Sequence, residues 1–226
     1  NATIFALERG TDLAVTNGGT GNFYGIYDPN YLKPSASQVG FMWRTMYQII
    51  GKANEIIAAA EDLEDTPSLR ATVSEAKCFR AQSYFLLYRT FDRIWLNMLP
   101  TTAENVNDPR DFHAASEKEV FELIYEDLEY AITNLDWVSD EAGRFTQAAA
   151  RHMKAKAALW LKDWDTTLEQ VEEIEKSGHF DLIALNEVFN AGDLNHKEAL
   201  MVQQWSKNPG GNLSNATPKG NYYAAY

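Results

Sequence analysis

From Ser37 onward, apolar residues recur every three or four positions. Met42, Met46, Ile49, Ala53, Ile56 and Ala60 keep the helical period, and they predict an amphipathic helix beginning at Ser37. Thr66-Pro67 then joins an N-capping hydroxyl to a proline whose fixed φ suits the first helical position. The helix it opens carries Leu69, Val73, Ala76, Tyr84, Leu87 and Phe91. Ser116-Glu117-Lys118-Glu119 reads as a capping box, and behind it Phe121, Ile124, Leu128, Ala131 and Leu135 form one stripe. Thr146 is placed to cap a fourth helix through Leu161. Asp163 is placed to cap a fifth, from Trp164 to about Lys176, with Gly178 as the left-handed residue that ends it.

Five amphipathic helices without alternating strand runs predict a mostly α protein. The fourth helix, the break at Lys162-Asp163 and the fifth helix form a hairpin. Ala149, Ala150, Ala155, Ala157 and Ala158 allow its backbones to approach closely. Such hairpins stack in tetratricopeptide-like solenoids. A second hairpin pairs the helices at 67–91 and 116–135. Glycines, prolines and amides without a sustained period predict a long structured loop over 1–36, and the prolines and asparagines of 92–115 predict a connecting loop. Glu198 to Trp205 is read as a short helix or strand. The expected organisation is one domain over 1–226, with a loop-rich start (1–36), a helical scaffold (37–206) and a terminal loop (207–226).

Charge narrows the function. The chain has 226 residues and a net charge of −12. Residues 61–140 hold 17 acids against 7 bases, which predicts a solvated acidic helical surface. This balance argues against an electrostatic grip on nucleic acid or on an anionic bilayer. No apolar run approaches the roughly 18–20 residues of a membrane-spanning helix. The single cysteine, Cys78, excludes an internal disulfide framework and multi-cysteine metal sites, and its mid-helix position predicts a buried, inert thiol.

Catalytic motifs are sparse. Gly18-Gly19-Thr20-Gly21 lacks the Gly-Lys-Ser/Thr of a phosphate loop. No two of His113, His152, His179 and His196 stand three or four apart, so no helix-borne zinc site is predicted. No serine-hydrolase elbow and no calcium loop appear. The reading is of a non-enzymatic protein with no metal and no cofactor. The aromatics say more. Tyr24 and Tyr27 stand near Asn22 in the first loop, and Trp205 precedes Asn208 and Asn212 in the last. Ring faces stack on the C–H faces of sugars while amides bond the hydroxyls, and the same pairing suits peptides. The other role open to these tyrosines is to pin long loops to the helices.

Glu75-Ala76-Lys77-Cys78-Phe79-Arg80-Ala81, continuing through Tyr84-Phe85-Leu86 to Arg89-Thr90-Phe91, resembles the signature of the SusD/RagB family, outer-membrane nutrient-binding lipoproteins of Bacteroidetes. Four further stretches follow in the family's order. Trp43, Tyr47, Ile50, Ala53 and Asn54 resemble its first helix, and Phe121, Ile124, Asp127, Leu128, Ala131 and Leu135 a later one. Gly143-Arg144-Phe145-Thr146 leads to Asp163-Trp164, and Ser177-Gly178-His179-Phe180 leads to Glu198. The family's glycines are replaced by Asp92 after Phe91 and by Lys162 before Asp163, departures that alter turns. Trp43 matches a packed helix position.

The resemblance implies a tetratricopeptide-like scaffold whose loops capture oligosaccharide at the cell surface. The ligand then passes to a SusC-like TonB-dependent transporter, with the protein held at the outer membrane by a lipid. Family members are about twice this length, so an internal stretch without signal peptide or lipid-bearing cysteine is expected. Asn22, Tyr24, Tyr27 and Trp205 are the ligand-binding residues expected from this stretch. A peptide ligand within the same family is the first rival reading, and an α-helical glycosidase with two facing acids is the second.

Overall fold

The structure, a computed structural model, describes residues 37–109, 112–141, 143–188 and 196–202. Within them the five expected helices form: α1 (Ser37–Ala60), α2 (Pro67–Phe91), α3 (Glu117–Asn134), α4 (Gln147–Leu161) and α5 (Trp164–Lys176). A single turn, α6 (Leu185–Val188), was not legible in the periodicity because four residues are too few to show a period. Residues 198–202 form turn and irregular chain, not the helix or strand expected from Glu198; the remainder of that expected element lies outside the described residues.

Each predicted cap is in place. Thr66 Oγ1 accepts from the Leu69 N–H at 3.2 Å, Thr146 Oγ1 from Ala149 at 3.2 Å, and Asp163 Oδ1 from Thr166 at 3.1 Å. Ser116 and Glu119 close the capping box from both sides, the Glu119 N–H donating to Ser116 Oγ at 3.3 Å and the Ser116 N–H to Glu119 Oε2 at 2.7 Å. Gly178, at φ +70°, turns the chain after α5. These caps satisfy backbone groups that a helix end leaves without partners.

Each helix packs on its neighbours in the chain, α1 on α2, α2 on α3, α3 on α4 and α4 on α5, while α2 and α4 touch only briefly across α3. The result is a tetratricopeptide-like stack of antiparallel hairpins with grooves between alternate helices. Ile50, Tyr84, Leu87, Val120, Ile124, Leu128 and Ala150 form the shared core. Ala149, Ala150, Ala155, Ala157 and Ala158 are all buried, which is the close approach their small side chains permit.

Candidate functional site

Asn22, Tyr24, Tyr27 and Trp205 lie outside the described residues. Within the described residues, the chemistry sought in those loops, aromatic faces beside amides, converges on the connection between α2 and α3.

That connection is held from below. Ile94 is buried in the core, and its carbonyl accepts from the Ala115 N–H at 2.8 Å, which ties the two ends of the loop together. Two tyrosines then clasp the strand-like stretch that follows. Tyr47 Oη, on α1, donates to the Trp95 carbonyl at 2.7 Å and accepts from the Trp95 N–H at 2.9 Å. Tyr84 Oη, on α2, does the same to Asn97, at 2.9 Å to the carbonyl and 2.7 Å from the N–H. Burial pushes the pKa of both hydroxyls up, and outweighs the lowering by these backbone bonds. Both therefore remain protonated donors at neutral and mildly alkaline pH.

The Asn97 carbonyl also accepts from Asn54 Nδ2 at 2.7 Å. Asn54 Oδ1 in turn accepts from Arg80 at 2.8 Å, and Arg80 makes a two-bond pair with Asp127 at 2.7 and 2.8 Å. Lys77 adds a third bond to Asp127 at 2.7 Å. Asp127 is fully buried and Arg80 nearly so. A buried carboxylate is tolerated when its lone pairs are filled this way. A chain of hydrogen bonds thus runs from the buried ion cluster to the backbone of the loop.

Above the clasp lies a cleft of about 380 Å³, lined among others by Trp95, Asn97, Leu99, Asn105 and Asp108. The Trp95 ring stacks 6.0 Å from Tyr47, and the Phe112 ring lies 4.8 Å away, tilted by 58°. Trp43 continues the cluster, 4.8 Å from Tyr47 and 5.1 Å edge-on to Phe91, yet it is 37% exposed and so less packed than its helix position predicts. Asn105 shapes the loop: its Oδ1 accepts from the Thr102 N–H at 2.8 Å and its Nδ2 donates to the Pro100 carbonyl at 2.9 Å. The Asn97 amide and the Asp108 carboxylate have no side-chain hydrogen-bond partner among the described residues, so both are available to a ligand. The arrangement offers a ring face, an amide and a carboxylate on a rigid floor, which is equipment for binding a hydroxylated ligand.

In the sequence, Trp95, Asn97 and Asp108 stand in a connecting loop and carry no motif that marks a site. The signal was present: this loop contains the same pairing of aromatic with amide that singled out the terminal loops. Nothing in it has a period, however, and only the folded loop shows that these side chains face one cleft.

Cys78 is fully buried, and burial, reinforced by the Asp127 and Glu75 charges, pushes its thiol far up. It stands among core residues and takes no part in the cleft. Among the described residues, no cluster of histidine, cysteine and acidic side chains is arranged to hold a metal ion, and no helix is long and apolar enough to cross a membrane.

The fold is thus a helical-hairpin stack that presents a rigid aromatic and amide cleft on the connection between two of its helices. Residues 8–159 match a SusD-like family described as starch-binding and associating with the outer membrane, and the chain belongs to that family. It is 26% identical over 213 residues to a SusD-like protein of Bacteroides ovatus, a match covering 83% of this chain and 38% of that protein. Among solved structures, a SusD-like protein from Bacteroides fragilis superposes with a TM-score of 0.69 at 23% identity, over 79% of this chain and 36% of that one. A structure solved with xylogluco-oligosaccharide superposes with a TM-score of 0.69 at 23% identity, over 81% of this chain and 39% of the other. These likenesses agree on the fold. The chain spans less than two fifths of the length of each of these relatives.

Proposed function

We propose that the protein captures glycan at the cell surface, without catalysing a reaction, and delivers it to a SusC-like TonB-dependent transporter of the outer membrane. Attachment there is by a lipid anchor. The observation that carries the reading is the Trp95 cleft, where an indole face stands beside an unengaged amide and carboxylate on a loop clasped by two tyrosines. Membership in a family described as starch-binding and outer-membrane-associated supports it, as does the xylogluco-oligosaccharide in one structure of similar fold. In this reading Trp95 stacks on a sugar ring while Asn97 and Asp108 bond its hydroxyls. Asn22, Tyr24, Tyr27 and Trp205 extend the contact from the terminal loops.

Native affinity gels cast with a panel of polysaccharides test this directly. Retardation by at least one neutral glycan is expected, with no change in the chain length of the polysaccharide after incubation. Trp95→Ala should abolish most of the retardation, since it removes the aromatic surface of the cleft. Trp205→Ala should weaken it less. Failure of every glycan to retard the protein, with retardation by mixed peptides instead, would overturn the glycan reading in favour of a peptide ligand.

A further inference from the structure

The stretch that carries Trp95 and Asn97 is irregular chain with no ladder of its own. Its geometry is therefore set by groups on the helices beneath it, and Asn97 is held by more of them than Trp95. Its N–H donates to Tyr84 Oη at 2.7 Å. A carbonyl oxygen has two lone pairs. At Asn97 both are used, one by Tyr84 Oη at 2.9 Å and the other by Asn54 Nδ2 at 2.7 Å. The Asn97 side chain, by contrast, is the amide left open to the cleft.

Asn54 differs from the two tyrosines in one respect. A hydroxyl donates and accepts, and rotates to suit its surroundings, whereas an amide has a fixed donor end and a fixed acceptor end. Arg80 Nη1 donates to Asn54 Oδ1 at 2.8 Å, so Nδ2 is the end that faces the loop. The reverse orientation would set donor against donor at Arg80 and acceptor against acceptor at Asn97. Arg80 cannot swing away, because two bonds tie it to Asp127 of α3. Asn54 is 1% exposed, so water has little room to take its place. It is not among the residues that line the cleft.

We propose that Asn54 is a positioning residue for the glycan: through the Asn97 carbonyl it holds the Asn97 side-chain amide in register with the Trp95 ring, and Arg80 dictates which end of Asn54 does so. The proposal rests on the Trp95 cleft being the glycan site. A sugar then meets a ring and an amide already in place, and the entropy of ordering the loop is lost on folding rather than on binding.

The test measures the affinity of the full-length protein for the polysaccharide that retards it most, together with deuterium exchange at Asn97. Asn54→Asp keeps the side-chain shape and the acceptor toward Arg80, but sets an oxygen against the Asn97 carbonyl. Affinity should fall about tenfold, the equivalent of one displaced hydrogen bond, and exchange at Asn97 should quicken. Asn54→Ala removes the donor without the repulsion, so it gives a smaller loss in the same direction, and it decides alone if Asn54→Asp does not fold. Ile174→Ala on α5, outside both the cleft and this relay, opens a core cavity and lowers the melting temperature while leaving affinity unchanged. Affinity undiminished in the Asn54 variants, a loss without quicker exchange at Asn97, or an equal loss in Ile174→Ala overturns the proposal alone. Wild-type protein that no glycan retards overturns the glycan reading of the cleft and this proposal with it.

Discussion

Lys162 sits at φ 61°, ψ 25° and Asp92 at φ 60°, the only non-glycine residues with positive φ among those described. Both stand where the family resemblance expects glycine. A side chain with a Cβ in the left-handed region costs about 1–2 kcal/mol, and glycine is the usual residue after a helix for that reason. Lys162→Gly should therefore stabilise the protein by up to about 1 kcal/mol, a rise of roughly 2–4 °C in melting temperature by calorimetry. Asp127 carries the opposite expectation. Asp127→Ala strands Arg80 and Lys77 without their carboxylate and should cost about 3–5 kcal/mol in a denaturant melt. Cys78, fully buried and with its thiol pushed far up, should resist a thiol-specific reagent in the native protein and react only when denaturant is added.

At the scale of elements, the capping box of α3 makes a prediction of its own. The Ser116 hydroxyl, donating to Glu119 at 2.6 Å, and the Ser116 backbone N–H hold the Glu119 carboxyl below its ordinary value of 4.5. A depressed carboxyl stabilises the folded state above its unfolded pKa and loses that contribution as pH falls through the folded one. The start of α3 should therefore be fully capped above pH 4.5 and fray below it, read from amide exchange at Ser116 and Glu119. Glu119→Gln should remove the pH dependence there. The loop after α2 responds to Tyr84 in a different way. Tyr84→Phe leaves the Asn97 N–H without its acceptor, at a cost of about 1–3 kcal/mol. Exchange at Asn97 should quicken while α3 remains protected. Cap signals were legible in sequence because a cap is local, needing only residues three positions apart. The clasp was not, since Tyr47 and Trp95 are separated by 48 positions.

For the whole molecule, the motif residues that carried the family resemblance turn out to be scaffold. Glu75 receives Arg144 at 2.7 Å, Lys77 and Arg80 converge on Asp127, and Glu198 accepts from the Ile183 N–H at 3.2 Å. They join α2 to α3, to the start of α4 and to the chain after α5. Charge sets a further limit on ligands. A net charge of −12 should repel polyanionic chains, so neutral polysaccharides should retard the protein in affinity gels and alginate-like polyuronates should not.

The order, type and ends of the five helices were contained in the sequence itself, because periodicity and caps are properties of neighbouring residues. Tertiary structure alone decided which side chains face a cleft. Trp95 and Asn97 face it because Tyr47, Tyr84 and Asn54, from two other segments, hold their backbone. The same is true of burial: Ile174 of α5 is covered by its neighbours, while Trp164 and Leu168 of the same helix stay exposed. An apolar stripe states that a face can be buried; only the packing of the other helices determines which face is.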